Sequence, residues 1–355
     1  MIPVNELCSD FPAGDEFVAR MQAYAKEHAI PLSGTFELTP RCNFHCKMCY
    51  VHLSEERMHR FGSEMNASEW IRLAEQARDA GMLSLCITGG EPLLHPEFET
   101  IYRAVAQMGF QITLQTNAST LSEKALNLLD EYPPNTVKTT IYGSNDEVYR
   151  EVCGVEHGFA RVDAGIRAIK ALDIPVIAVT TVIRQNMQDL DNIYRYVREL
   201  QIPWTYTTAV HPSIRGAETK ASEAAIDEET AADFRADVRR MISLPPRMPD
   251  DKPCDHCKGY RTSFWITWNG KLRFCSFMNE PDIDVYQKDF PEAWQELVAY
   301  EDQLRWPEEC RSCEVREVCR MCAGALASRS GSISRVDKEF CEKFQRYVKE
   351  EREDR

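Results

Sequence analysis

The chain has 355 residues, 43% of them hydrophobic, which suits one large domain and one smaller domain. Its formal net charge of −14 excludes nucleic acid as a partner, because binding to phosphates needs a basic face. No apolar run approaches the roughly 18 residues of a membrane span, and residues 1–10 lack the features of a secretory signal. Fourteen cysteines in such a chain favour metal ligation over disulfides and predict a cytoplasmic protein without membrane contact.

Hydrophobic periodicity predicts a short helix over 15–28, within a lead-in of residues 1–34 that we expect to be too short for a separate peptide-binding domain. Six strands are then predicted, at 34–39, 83–88, 111–116, 137–142, 176–182 and 204–208. They alternate with helices predicted at 68–80, 97–108, 122–130, 159–172 and 190–200. This alternation predicts an α/β domain over 35–216 with a parallel sheet, whose functional residues lie at the carboxyl ends of the strands.

Residues 217–252 change in composition and predict a bridging helix and a linker, since Ala and charged residues give way to prolines. The remainder, 253–355, is dense in cysteine and ends in a predicted helix. Within it, Asn269-Gly270 stands between two β-prone runs, 264–268 and 271–275. That pattern predicts a β-hairpin with a type I′ turn.

Three cysteines follow the first predicted strand with the spacing C-x3-C-x2-C: Cys42, Cys46 and Cys49. Three thiolates do not complete a four-coordinate zinc site, although His45 or His52 could supply a fourth ligand. On a four-iron cluster, three cysteines leave one iron open to a ligand that is not protein. The spacing therefore favours an open iron–sulfur site, with zinc as the alternative.

This triplet, with Tyr50 directly after it, resembles the signature of the radical SAM superfamily. The resemblance implies an incomplete (β/α)6 TIM-type barrel and a [4Fe-4S] cluster whose open iron binds S-adenosylmethionine (AdoMet). It implies that one electron from the cluster cleaves AdoMet and yields a 5′-deoxyadenosyl radical. At the end of the second predicted strand, Gly89-Gly90-Glu91 resembles the family motif that binds the methionine amino group, with Pro92 shaping the turn.

Weaker resemblances extend the expected AdoMet site. Asn117 resembles a position on the ribose side, and Thr140 resembles one that meets the carboxylate. Arg150 could pair with that carboxylate in a bidentate manner, or it could be an ordinary solvated arginine. Tyr50 lies where the family places an aromatic residue near adenine, and core packing is the alternative.

Eight cysteines near the carboxyl terminus resemble the SPASM extension of radical SAM enzymes, although the spacings of Cys254-x2-Cys257 and Cys319-x2-Cys322 depart from its pattern. The resemblance implies two auxiliary [4Fe-4S] clusters, and hence three clusters in all. The first would take Cys254, Cys257, Cys275 and Cys322, and the second Cys310, Cys313, Cys319 and Cys341. Two structural zinc sites are the alternative. Of the spare cysteines, Cys153 is a candidate hydrogen-atom donor or a small buried hydrophobe.

The resemblance implies a peptide maturase, and Ser276 narrows the reaction. Sulfatase-maturing members carry an Asp directly after the G-x4-C cysteine, where this chain has Ser276. We therefore expect oxidative crosslinking of a ribosomally made peptide rather than formylglycine formation. Expected partners are the peptide, a separate leader-binding protein and a low-potential electron donor such as flavodoxin or ferredoxin. The alternatives are radical dehydrogenation or rearrangement of a sugar or cyclitol, and a non-enzymatic iron–sulfur or zinc scaffold.

Overall fold

The structure is a computed structural model that describes residues 16–226, 232–244, 252–254 and 257–353. Its strands are β1 (Ser33–Glu37), β2 (Ser84–Thr88), β3 (Gln111–Thr116), β4 (Thr136–Thr140), β5 (Val176–Thr181), β6 (Trp204–Thr207), β7 (Ser263–Ile266), β8 (Lys271–Arg273) and β9 (Ile283–Asp284). They form one sheet in the order β6-β5-β4-β3-β2-β1-β7-β8-β9. The strands from β6 to β7 pair in parallel, so the predicted parallel α/β fold is confirmed.

Helices connect the strands and cover the sheet. They are α1 (Glu16–His28), α2 (Glu55–Phe61), α3 (Ala67–Asp79), α4 (Phe98–Gln107), α5 (Glu123–Glu131), α6 (Asp146–Cys153), α7 (Gly158–Ala171), α8 (Leu190–Glu199), α9 (Ala221–Ala224), α10 (Ala232–Ser243), α11 (Phe290–Gln303), α12 (Glu308–Arg311), α13 (Ala323–Ser330) and α14 (Lys338–Glu353). The predicted strands and crossover helices are present, with ends that differ by a few residues. The sequence did not predict α2, α6, α11, α12, α13 or β9. Asp15 and Cys8 lie outside the described residues.

The cysteine-rich part extends the barrel sheet instead of standing apart from it. Strand β7 pairs in parallel with β1, with Phe36 opposite Ile266. Gly34 permits this close packing, since a Cβ there would lie 2.4 Å from the ring of Phe264. The sheet therefore includes strands from both sides of the predicted domain boundaries at residues 216 and 252. Those boundaries remain a prediction.

The hairpin of β7 and β8 is antiparallel as predicted, with Trp265 opposite Arg273. The predicted type I′ turn is wrong. Gly270 has φ of +70°, but Asn269 does not share the left-handed conformation that a type I′ turn requires at both central residues. The amide of Gly270 instead donates to the carbonyl of Thr267 at 2.9 Å.

A buried apolar core lies between the sheet and its helices. Its largest fully buried side chains include Trp70 on α3 and Phe36 on β1, whose ring centroids are 4.7 Å apart. A smaller core joins α10 to α14 through Val238, Phe344 and Val348, so the bridging helix packs against the last helix. No helix in the described part of the chain is long and apolar enough to cross a membrane.

Candidate active site and cysteine clusters

The loop after β1 carries the cysteine triplet and is held on both sides. Arg41, directly before Cys42, makes a two-point ion pair with Glu64, with Nε–Oε1 and Nη2–Oε2 distances of 2.9 and 2.8 Å. On the opposite side, the amides of His45 and Lys47 donate to carbonyls at the end of α6, at 2.8 and 2.9 Å. Contacts on both sides thus hold the triplet loop in place.

The three thiols of the triplet face an environment that disfavours their ionisation without a metal. Burial raises the pKa of Cys42 above its ordinary range, and the charges of Glu91 and the other two thiols add to this effect. Burial and the neighbouring Cys46 raise the pKa of Cys49 to about 11. Because a metal ligates the thiolate, such a group of thiols needs positive charge among them. The amide of Phe44 and Nδ2 of Asn117 approach Sγ of Cys42 at 3.4 and 3.8 Å, as donors that would stabilise the thiolate.

The turn after β2 packs directly on the triplet loop. The amide of Gly90 donates to the carbonyl of Thr39 at 2.7 Å, and the amide of Glu91 donates to that of Arg41 at 2.8 Å. A Cβ on Gly90 would lie 2.3 Å from the carbonyl oxygen of Arg41. The sequence predicted that glycine here lets the backbone approach a ligand. The structure adds that glycine lets the turn after β2 pack against the backbone of the triplet loop.

Glu91 is completely buried and its carboxylate is held by three donors of its own chain. Its oxygens accept hydrogen bonds from the hydroxyl of Thr116 at 2.7 Å, the amide of Asn117 at 2.7 Å and the amide of Leu93 at 3.2 Å. Burial raises its pKa to about 7, against the effect of these donors. Glu91 thus ties the turn after β2 to the end of β3.

A cavity of about 330 Å³ opens beside the triplet, at the carboxyl ends of the strands. This size is in the range of small-molecule sites. Among its lining residues are those predicted for the cluster and for AdoMet, namely Cys42, Cys46, Cys49, Tyr50, Gly89, Gly90, Asn117 and Thr140. The fold therefore brings eight of the predicted residues to one place.

Four predicted residues do not line this cavity. Glu91 and Pro92 lie behind the turn, and Arg150 on α6 is exposed and pairs with Glu156 at 3.6 Å. Cys153 is completely buried, and its thiol makes a hydrogen bond with that of Cys46 on the far side of the triplet loop. These positions do not support a direct carboxylate contact by Arg150 or hydrogen-atom donation by Cys153.

The cysteines of the tail gather in two groups that match the predicted sets. Burial raises the pKa of Cys254 above its ordinary range, and the further contributors include the thiols of the first set, Cys257, Cys275 and Cys322. The second set lines a separate cavity of about 190 Å³ beside α12 and α14 and consists of Cys310, Cys313, Cys319 and Cys341. Burial and the neighbouring thiols raise the pKa of Cys310 and of Cys341 to about 11.

The structure also bears on the zinc sites that the sequence left as an alternative. Among the residues that the structure describes, no three His, Cys, Asp or Glu side chains are placed to hold one metal ion. A zinc site needs four ligands around a single ion, whereas the cysteines of a four-iron cluster bind different iron atoms and stand farther apart. Among the described residues, His45 and His52 thus form no such group with the triplet cysteines.

Comparison with known proteins agrees with this geometry. The sequence model of the radical SAM superfamily matches residues 36–197. Residues 36–197 therefore form a radical SAM domain. It is 26% identical over 326 residues to the PqqA peptide cyclase of Gluconobacter oxydans (strain 621H), covering 86% of this chain and 90% of that protein.

Two further comparisons are with a curated enzyme and with a solved structure. The AdoMet-dependent heme synthase of Methanosarcina barkeri (strain Fusaro / DSM 804) is 22% identical over 325 residues, covering 83% of this chain and 92% of that protein. The crystal structure of Streptococcus suis SuiB bound to the precursor peptide SuiA superposes with a TM-score of 0.66 at 18% identity, covering 92% of this chain and 80% of that one. This likeness confirms the fold of a radical SAM enzyme with a SPASM-type, cysteine-rich extension.

The radical SAM family implies a [4Fe-4S] cluster and AdoMet, and the residues present fit both. Cys42, Cys46 and Cys49 would hold the cluster, while the backbone at Gly89 and Gly90 faces the same cavity. The sequence reading missed several polar or aromatic residues of the cavity wall: Glu37, Gln115, Lys138, His211, Trp265 and Phe277. The first three had a signal, since they are polar side chains near the carboxyl ends of largely buried strands.

Proposed function

We propose that this radical SAM enzyme modifies a ribosomally made peptide, by an oxidative crosslink at a carbon atom. The observation that carries the proposal is that one cavity is lined from both sides. Cys42 of the triplet faces it from the barrel, and Phe277, two residues after Cys275, faces it from the tail. A substrate in this cavity would lie between the source of the radical and the first tail group of thiols.

We infer three [4Fe-4S] clusters, one at the triplet and two in the tail. The grouping of the eight tail thiols into two sets of four supports this count, because four cysteines ligate one such cluster. When bound, the triplet cluster supplies the electron that cleaves AdoMet into methionine and the 5′-deoxyadenosyl radical. Tail clusters suit the removal of an electron from the substrate, since cluster potentials span roughly −700 to +450 mV and depend on their surroundings.

The peptide substrate is supported by the relatives and by the fold. A protein matched over 86% of this chain is named a peptide cyclase, and SuiB was crystallised with a precursor peptide. The SuiB match supports the fold alone, and the transfer of substrate class is our proposal. Ser276 replaces the acidic residue that the sulfatase-maturing members carry, which favours bond formation over oxidation to formylglycine.

We also propose a separate leader-binding protein, an electron donor such as flavodoxin or ferredoxin, and a cytoplasmic location. The alternative is radical chemistry on a small molecule. The similarity to the heme synthase of Methanosarcina barkeri supports this alternative, which the experiment below also tests. The described residues lack a candidate spanning helix, which is compatible with the proposed location.

Mass spectrometry of the peptide encoded by a short reading frame beside the gene tests the proposal. Co-expressed anaerobically with the enzyme, the peptide should lose about 2 Da per site, and fragmentation should localise the loss to an internal linkage. The matched control is the enzyme with Cys42, Cys46 and Cys49 changed to Ala, which should leave the peptide unchanged. An unmodified peptide together with turnover of a small metabolite would replace this proposal with the alternative.

A further inference from the structure

The crosslinking reaction needs a proton acceptor, and the usual candidate is absent. Removing two hydrogens from a peptide takes one as an atom to the 5′-deoxyadenosyl radical, while the other leaves as a proton and an electron. The residue after Cys275 is Ser276, which is not a base at neutral pH. The proton must therefore go to another group that faces the cavity.

Glu37, the last residue of β1, is the one carboxylate among the described residues that line this cavity. Its side chain is 3% exposed, and Nη1 of Arg215 lies 2.9 Å from Oε2. The indole Nε1 of Trp265 donates to the same oxygen at 3.0 Å. These two contacts hold the Glu37 side chain in place at the wall of the cavity.

Both of these contacts use Oε2, so the lone pairs of Oε1 remain for a proton from the cavity. Glu37 is also linked to the missing acidic position. The hydroxyl of Tyr50 makes a hydrogen bond with the side chain of Ser276 and lies in the field of both Glu37 and Arg215. Glu37 thus acts on the same tyrosine that contacts the position where sulfatase-maturing relatives place their acid.

The other polar side chains of the cavity are poorer acceptors. The ring of His211 stacks on Phe277 with centroids 3.7 Å apart, and its Nδ1 is 3.1 Å from the hydroxyl of Ser328. Burial raises the pKa of Tyr50 to about 12, so its phenol stays protonated. Lys138 also lines the cavity, but a lysine side chain serves as a hydrogen-bond donor in proteins.

We propose that Glu37 is the catalytic proton acceptor of this enzyme, an inference that rests on the proposed crosslinking function. The substrate carbon gives its hydrogen atom to the 5′-deoxyadenosyl radical, which becomes 5′-deoxyadenosine. The carbon then bonds to a second peptide atom as that atom loses its proton to Oε1 of Glu37. The remaining electron passes to an oxidised iron–sulfur cluster, so hydrogen, charge and electrons balance.

The test is Glu37→Gln, assayed with the neighbouring-gene peptide in uniformly deuterated form. The variant should hold its iron and transfer deuterium into 5′-deoxyadenosine. Crosslinked product should fall about 10²- to 10⁴-fold, the usual contribution of general acid–base catalysis. Asp189→Asn is the control, because Asp189 is also a buried carboxylate but does not line the cavity, and its product yield should match that of the parent.

If Glu37 served only to pair with Arg215, loss of product would come from a disturbed fold. The double variant Glu37→Gln with Arg215→Met distinguishes this structural role from proton transfer. Replacing both members of a buried pair is often neutral for stability. The double variant should therefore fold and release 5′-deoxyadenosine but still make no crosslink. Product at the parental level in either variant, or loss of iron in both, would overturn the role of Glu37. Failure of the parent enzyme to crosslink the peptide would overturn the proposed function itself.

Discussion

At the scale of single residues, Glu91 ties the turn after β2, which lines the cavity, to the end of β3. Glu91→Ala would leave the hydroxyl of Thr116 and the amide of Asn117 buried without their acceptor, at about 1–3 kcal/mol each. We expect AdoMet affinity to fall roughly 10- to 100-fold as the turn loosens, while the iron content stays unchanged. Binding of AdoMet to the anaerobic enzyme, followed by calorimetry, measures this.

The matched control for this prediction is Glu131→Ala, which removes a surface carboxylate that pairs with Arg103 at 2.8 Å. Surface ion pairs contribute little to stability, so AdoMet affinity should be that of the parent. An equal affinity for the Glu91 variant and the parent would show that the turn does not depend on this carboxylate.

A second buried carboxyl, Glu301 on α11, predicts a dependence of stability on pH. Burial raises its pKa from 4.5 to about 8, and its Oε1 has no hydrogen-bond partner. Below about pH 4.5 the carboxyl is protonated in both the folded and the unfolded chain. Between there and about pH 8 the unfolded chain releases this proton first, so the folded state loses stability as the pH rises.

Glu301→Gln removes this titration. The variant should gain stability relative to the parent as the pH rises from about 5 to about 9, by at most about 5 kcal/mol. The measurement is the thermal midpoint of both proteins at several pH values, under anaerobic conditions. A constant difference between the two midpoints across that range would rule out a raised pKa for Glu301.

At the scale of elements, the turn after β2 and the loop after β1 form one unit. A methyl group at residue 90 would press on the carbonyl of Arg41, which is backbone and cannot move aside without shifting Cys42. We expect Gly90→Ala to abolish AdoMet cleavage and to lower the iron content by about four atoms, because the triplet cluster is lost. Iron analysis and 5′-deoxyadenosine formation measure both effects.

Gly109→Ala is the control for that variant. A methyl group at residue 109 meets nothing within 4 Å, although its φ of +83° strains any side chain. This substitution should cost about 1 kcal/mol of stability and leave iron content and AdoMet cleavage intact. Full activity of Gly90→Ala would mean that the two backbones can separate without consequence.

At the scale of the whole molecule, eleven of the fourteen cysteines fall into three groups. The reconstituted enzyme should hold about 12 iron and about 12 sulfide, and changing the triplet to Ala should leave about eight of each, since the tail sets are ligated independently. Cys86→Ala is the control, because Cys86 is buried in β2 outside the groups and its loss should leave the iron content unchanged. Zinc without sulfide would exclude clusters.

The tail and the barrel also share one sheet, since β7 pairs with β1. This pairing sets Trp265 beside Glu37 and brings the loop of Cys275 to the cavity. The tail thus builds part of the cavity wall in addition to carrying the two sets of cysteines. We therefore expect the barrel to depend on the tail for its fold, because without β7 the edge of β1 would be exposed.

The sequence by itself determined the parts that depend on local order. Strand and helix periodicity predicted the parallel sheet. The resemblance of the cysteine spacings to those of a known family implied the ligand sets, because short-range spacing fixes which side chains one loop can present. Residues such as Gly89 and Thr140 were found because they end strands, where a parallel sheet gathers its functional groups.

Only the tertiary structure decided which of those residues face the cavity. Arg150, Glu91 and Cys153 carry suitable functional groups but do not line the cavity. Arg150 lies on an exposed helix face, Glu91 is held in an internal hydrogen-bond network, and Cys153 lies on the far side of the triplet loop. Glu37 acquires its partners from residues 215 and 265, more than 170 positions away. Such contacts depend on the pairing of β1 with β7 and on long-range packing, which no local pattern in the sequence encodes.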